Sequence, residues 1–187
     1  MSKAARRFAI LFLILSGSIS FSNAQTYIGE DGYVEFVSKA PLHSFKGTSE
    51  QLHGFFDLEK NLIDFYVDLN TLDSGIERRD RDMRNTYLES DKYPFAEFTG
   101  EFTEGLEELI SSDSVKEVTA KGIFTMRDID QELVVEGTIT GSDESLLLEA
   151  SWTLLLEDFD IERPGILFYE LAEEQIVNIK IDLKKRN

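Results

Sequence analysis

Apolar residues recur at every second position over long stretches of this chain, and that period admits little besides β-strands with one buried face. Ile63, Phe65, Val67 and Leu69 alternate with Asp64, Tyr66, Asp68 and Asn70. Leu146, Leu148, Ala150, Trp152, Leu154 and Leu156 share one face, and Glu149, Ser151 and Thr153 share the other. Leu133, Val135, Gly137 and Ile139 repeat the pattern, as do Val177, Ile179, Ile181 and Leu183. Strand candidates run near 32–39, 44–58, 61–69, 95–104, 115–127, 130–141, 145–157 and 175–184.

Most joins between these segments are short and polar, such as Glu59-Lys60-Asn61 and Gly141-Ser142-Asp143-Glu144, and short joins make neighbouring strands antiparallel. Glycines within the strands, at Gly47, Gly54, Gly100, Gly122 and Gly137, fit bends or bulges that curl a sheet. Eight strands can form a sandwich or a closed barrel, and the long candidates favour the barrel. The expected class is all-β: an eight-stranded antiparallel barrel with one inserted α-helix. Such a barrel either fills itself with side chains or holds one small ligand, and the pattern alone does not choose.

One segment breaks the alternation. Ser74-Gly75-Ile76-Glu77 reads as a capping box, with Ser74 as N-cap and Glu77 reaching back. Arg78 to Leu88 then reads as a helix, ending before Pro94. Ile76, Met83 and Tyr87 fall on one face of it, and Asp80 and Arg84 are spaced to pair across a turn.

The first residues read as a secretory signal: basic Lys3, Arg6 and Arg7, an apolar run from Phe8 to Leu15, then Ser22-Asn23-Ala24. The run is shorter than the roughly 20 apolar residues of a membrane span. Cleavage is expected after Ala24, leaving a single domain at 25–187 in the periplasm or secreted. The whole chain carries a net charge of −17, and the leader would take three basic residues and no acidic one with it. A surface so acidic repels nucleic acid and anionic headgroups. The chain has no cysteine, so disulfides and thiol chemistry are excluded and packing must hold the domain together.

Recognisable catalytic signatures are absent: no G-x-S-x-G, no H-E-x-x-H and no P-loop. The chain therefore reads as a non-enzyme with no catalytic residue and no cofactor. His43 and His53 are the only histidines, and their spacing fixes no shared face, so no metal site is expected. His43 reads as ordering a turn.

Between Thr71 and Glu101 the residues Leu72, Asp73, Gly75, Arg79-Asp80, Met83-Arg84, Tyr93-Pro94 and Phe98 resemble the signature of the YceI-like family of lipid- and polyisoprenoid-binding proteins. His43-Ser44, Gly54-Phe55 and Asp158-Phe159-Asp160-Ile161 agree with it, and the resemblance covers about residues 30 to 184. Asp82 stands where that family often has a histidine, and Tyr87-Leu88 replaces a phenylalanine pair. The resemblance implies a lipocalin-like barrel with a long apolar tunnel for an isoprenoid, quinone-type molecule or other long-chain lipid. The tunnel candidates are Phe36, Phe65, Val67, Met83, Phe98, Phe102, Phe124, Met126, Trp152 and Ile179; the plainer reading is that they fill a dry core. Arg79 and Arg81 are candidates for a headgroup contact, against a solvated helix face. The expected partner is a long-chain isoprenoid or lipid, without nucleic acid or stable membrane insertion; a homodimer is allowed. The alternative is a ligand-free structural or partner-binding barrel in the cell envelope.

Overall fold

A computed structural model describes residues 25–40, 43–103, 114–142, 144–162 and 171–186. The proposed leader lies outside the described residues. Eight strands close into one barrel in sequence order: β1 (Thr26–Lys39), β2 (Ser44–Asp57), β3 (Leu62–Asp68), β4 (Phe95–Phe102), β5 (Lys116–Met126), β6 (Ile129–Gly141), β7 (Ser145–Leu155) and β8 (Glu174–Arg186). Every neighbouring pair is antiparallel, and the ring closes where β1 pairs with β8.

Seven strands fall close to their expected spans, but β1 begins at Thr26 instead of near residue 32. The sequence hides this start because the register with β2 shifts between Gly29 and Gly32 and again between Gly32 and Val34. A bulge breaks the alternation that marks a strand. The glycines at 47 and 54 have a different use. A Cβ on Gly47 would lie 2.3 Å from the Phe36 ring, and one on Gly54 would lie 2.6 Å from the Phe65 ring. These two positions are flat seats for aromatic rings of the adjacent strands.

One end of the barrel is plugged. Tyr27 and Phe56 are fully buried and stacked with ring centroids 6.1 Å apart, and Phe102 meets Phe56 edge-on at 5.3 Å. Leu146, Ile181 and Leu183 fill the same end. The Asn61 amide reaches across the β2–β3 hairpin, donating to the Phe102 carbonyl (2.7 Å) and accepting from its N–H (3.1 Å). That one side chain satisfies the backbone where β4 leaves the sheet.

The other end carries the inserted helix, α1 (Glu77–Asp82), which continues as a wider π-helical turn over Met83–Tyr87. The expected capping box does not form. Ile76 is the N-cap, and Glu77 instead accepts from Arg81 at 2.9 Å. Gly75, at φ +75°, turns the chain between Ser74 and the helix, so Ser74 lies off the first turn. Its hydroxyl (2.6 Å) and its N–H (2.9 Å) both donate to the Asp80 carboxylate. Asp80 is buried, and Ser74 rather than Arg84 is its hydrogen-bonding partner. Burial alone would raise this carboxyl. The two Ser74 hydrogen bonds and the Arg84 charge outweigh it and hold Asp80 below the ordinary carboxylate range. Further along, the buried Ser90 hydroxyl donates to Asn70 at 2.7 Å and ties the end of the helix back to the turn after β3.

Asp80 thus seats the helix, and its removal has a signed pH dependence. Asp80→Ala is expected to lose about 1–3 kcal/mol at neutral pH, because the Ser74 donors lose their acceptor. The folded carboxyl is depressed, so its charge contributes stability above the unfolded value of about 3.9 and that contribution fades as pH falls through the folded value. Denaturant unfolding of wild type and Asp80→Asn across pH 7 to 3 should show their difference shrinking in acid.

Candidate functional site: an apolar cavity inside the barrel

Within the ring the inward face is apolar, and it does not meet itself in the middle. A cavity of about 800 Å³ runs up from the plug, at the upper end of the roughly 300–1,000 Å³ usual for small-molecule sites. Its walls come from all eight strands and from the helix. The space has a specific origin. Ala120 on β5, Gly137 on β6 and Ala150 on β7 form a strip of small residues across three neighbouring strands, linked through the Val118–Gly137 and Gly137–Ala150 pairs. Ala96 on β4 adds a fourth small wall position. Larger groups there would close the middle of the barrel, as they close its lower end.

All ten tunnel candidates line this cavity: Phe36, Phe65, Val67, Met83, Phe98, Phe102, Phe124, Met126, Trp152 and Ile179. Phe124 meets Trp152 at 6.3 Å and Phe159 at 5.6 Å, both edge-on, so the tryptophan side of the wall is braced from the turn after β7. Arg127, in the two-residue β5–β6 turn, holds that brace by donating to the Phe159 carbonyl at 2.8 Å. Arg127 and Asp128 both have positive φ (55° and 58°), the backbone a tight twisted hairpin requires.

The cavity reaches the surface at the helix end, where exposed His43, Ser44, Ile76, Arg78 and Asp82 join its lining. Ile76, Met83 and Tyr87 all face the cavity, as one helix face should, and Leu88 joins them. In the π turn the Leu88 N–H donates to the Met83 carbonyl at 2.8 Å, which adds a residue to the turn and carries Tyr87 and Leu88 over the mouth. Burial, with the Asp82 charge, raises the Tyr87 phenol, which therefore stays neutral there.

The two headgroup candidates are placed differently. Arg79 lines the mouth with its guanidinium 4.5 Å above the centre of the Phe45 ring. Arg81 points away, exposed and paired with Glu77. His43 closes the β1–β2 connection through its backbone, its carbonyl accepting from Ala40 at 2.9 Å. His53 stacks on Tyr66 across the outer surface at 4.7 Å. Among the described residues no group of histidines and carboxylates is arranged to hold a metal.

The tunnel candidates left out several wall residues, among them Leu72, Leu156, Ile161 and Gln175. Leu72 and Ile161 lie in loops, where no period marks an inward position, whereas Leu156 ends the alternating face that begins at Leu146 and was legible. Gln175 was legible: extending the Val177, Ile179, Ile181 alternation back by two reaches it, and a polar residue at an inward position is the signal.

Comparison with known proteins follows the geometry. The family model for the YceI-like domain matches residues 21–184. No curated protein matches the chain in sequence. Among solved structures, a polyisoprenoid binding domain from Saccharophagus degradans, implicated in plant cell wall breakdown, aligns with a TM-score of 0.75 at 14% identity, over 87% of this chain and 99% of that one. BcnA of Burkholderia cenocepacia aligns at 0.66 and 13% identity, over 81% and 95%. The YCEI protein of Campylobacter jejuni aligns at 0.61 and 15% identity, over 80% and 90%. At these identities the likeness is one of fold.

A hollow interior tolerates added volume that a filled core does not. Ala120→Leu and Ala150→Leu are expected to cost less than about 1 kcal/mol in urea unfolding, where overpacking a filled core costs about 1–3 kcal/mol. A larger loss at both positions would mean that the small strip is already occupied.

Proposed function

Because the chain belongs to the YceI-like family, we propose that it is an exported, non-enzymatic binding protein that holds a long apolar ligand inside its barrel, for storage or transport. The ligand class is a polyisoprenoid, quinone-type molecule or other long-chain lipid. The observation that carries this reading is the cavity itself: an apolar space of about 800 Å³, plugged at one end and reaching the surface at the other. That shape suits a chain threaded in from the helix end. Each buried methylene contributes about 0.8 kcal/mol, so a five-carbon isoprene unit contributes roughly 4 kcal/mol before ordering costs. A few units suffice for tight binding without a charged anchor. The matching domain of Saccharophagus degradans is described as polyisoprenoid binding, which supports the same class here.

The helix is the movable part of the mouth in this reading. The π turn and the exposed Ile76 stand over the opening, and Asp80 ties α1 to Ser74 in the chain before it. The leader-like residues before Gln25 support export, to the periplasm or outside the cell. Among the described residues no helix is long and apolar enough to cross a membrane.

Two measurements test the proposal. Trp152, the chain's single tryptophan, lines the cavity, so a long-chain isoprenoid or fatty acyl compound should change its fluorescence saturably. Phe65→Asp should abolish the change while circular dichroism stays β-rich, since an unpaired buried charge costs several kcal/mol. Arg81→Ala should leave affinity nearly unchanged. Flat titrations across chain lengths, with organic extracts free of lipid, would refute ligand binding. Separately, mass spectrometry of the protein from its native envelope should give an N-terminus at Gln25; an intact Met1 would refute export.

A further inference from the structure

The three aromatic rings of the plug do not all meet the cavity. Tyr27 and Phe56 are fully buried, and of the three Phe102 alone lines the space. Phe102 meets Phe56 edge-on at 5.3 Å, and Phe56 stacks on Tyr27 at 6.1 Å. Phe102 is therefore the upper face of the plug and the floor of the cavity. Opposite it on β5 stands Ala120, its register partner, which also lines the space. On its other side Ala120 pairs with Val135 of β6, another wall residue. A lone methyl group between a phenyl ring and a valine leaves a notch beside the floor.

The backbone fixes both sides of that notch. The Asn61 amide holds the Phe102 carbonyl at 2.7 Å and the Phe102 N–H at 3.1 Å. Both groups thus point toward the β2–β3 hairpin and away from β5. Phe102 and Ala120 are then a non-hydrogen-bonded pair, the kind whose Cα atoms lie about 4.5 Å apart and whose side chains come closest. Ala120 is paired on both sides, to β4 and to β6, so it cannot shift alone. Behind the Phe102 ring lie Phe56 and Tyr27, both at 0% exposure. An interior packed in this way transmits a change of side-chain size instead of absorbing it. The space above the plug therefore ends at a fixed place, and the side chains at 102 and 120 decide where.

We infer that the Phe102–Ala120 pair sets the longest chain the barrel accepts. The inference rests on the hollow-barrel reading above and adds which members of that ligand class are taken in. A chain entering at the mouth gains about fourfold in affinity for each methylene it removes from water. Once its leading end meets Phe102 and the notch is filled, further carbons stay at the mouth in water and add nothing. Affinity then rises with chain length to a break and flattens. The mouth imposes no such limit, because there the cavity reaches the surface at His43, Ile76 and Arg78.

The test uses the mature protein and saturated fatty acids from octanoic to docosanoic acid, their affinities read from Trp152 fluorescence. Phe102→Leu takes about three carbons from the floor, and Ala120→Leu adds about three to the notch. The break should move up by about three carbons in the first variant and down by about three in the second. The double variant restores the volume of the pair, so its break should return to the wild-type length; a general loosening of the barrel would not bring it back. Ala120→Leu keeps all three plug rings, so the result survives if Phe102→Leu fails to fold. A break at one length in wild type and Ala120→Leu alike would overturn the limit and leave the hollow barrel standing, and self-association of the longer acids in water predicts that same coincidence. Affinity that climbs through docosanoic acid without a break would overturn it equally. Binding of no acid to wild type, with organic extracts free of lipid, would overturn both together.

Discussion

The pairing of β1 with β8 is the interaction on which the rest depends. It joins Thr26 to Arg186 and Ser38 to Gln175, the two ends of the described chain, and it turns an open sheet into a ring. Once the ring is shut, every strand turns one face away from the outer solvent, and the inward positions are largely apolar. Closure also removes the sheet edges that an open sheet would otherwise expose to aggregation. No disulfide supports this join, so the ladder and the plug beneath it hold the ends together. Long-range pairing of this kind carries a loop-closure cost that only the completed core repays.

Closure then divides the interior into two regimes. At the plugged end large side chains meet across the axis: Tyr27 on Phe56, Phe56 against Phe102, with Leu146, Ile181 and Leu183 around them. Halfway up, Ala120, Gly137 and Ala150 withdraw the wall on three adjacent strands, and the same ring becomes hollow. Stability and open space are thus built from one apolar face by changing residue size with height. The glycine seats under Phe36 and Phe65 extend the device, letting whole rings lie against the wall without crowding the lumen.

Polar chemistry appears where backbone must be anchored. Asp80 gathers the Ser74 hydroxyl and amide to seat the helix, Asn61 ties the β2–β3 hairpin to β4, and Ser38 holds the chain entering β8. Each is a short side chain that completes backbone or neighbouring groups deep in the structure, so each can be buried at little cost. The acidic surface serves a different end, since charges spread over the outer faces keep the barrel in solution without entering its core.

The alternating apolar positions determined the strand number and the inward residues, because a period of two leaves a pleated sheet with few choices of face; the short polar joins determined the antiparallel order, and the break in the alternation marked the one helix. The ten wall residues were legible for the same reason: each sits at an inward position of a strand or on the inward side of the helix. Other features depended on contacts between residues far apart in sequence. Whether the inward face meets itself depends on which small residues register brings near one another: Gly137 pairs with Ala150, and Ala120 stands diagonal to Gly137, one inward position beyond Val118. The start of β1 was hidden by a bulge whose form depends on β2. Ser74 signalled a cap, but the positive φ of Gly75 gave its hydrogen bonds to Asp80. Arg79 and Arg81 were indistinguishable as a charged run, and the turn of the helix put one at the mouth and the other in solvent. Local periodicity sets which side of an element is apolar; tertiary register decides what that side faces, and so whether the barrel encloses a core or a site.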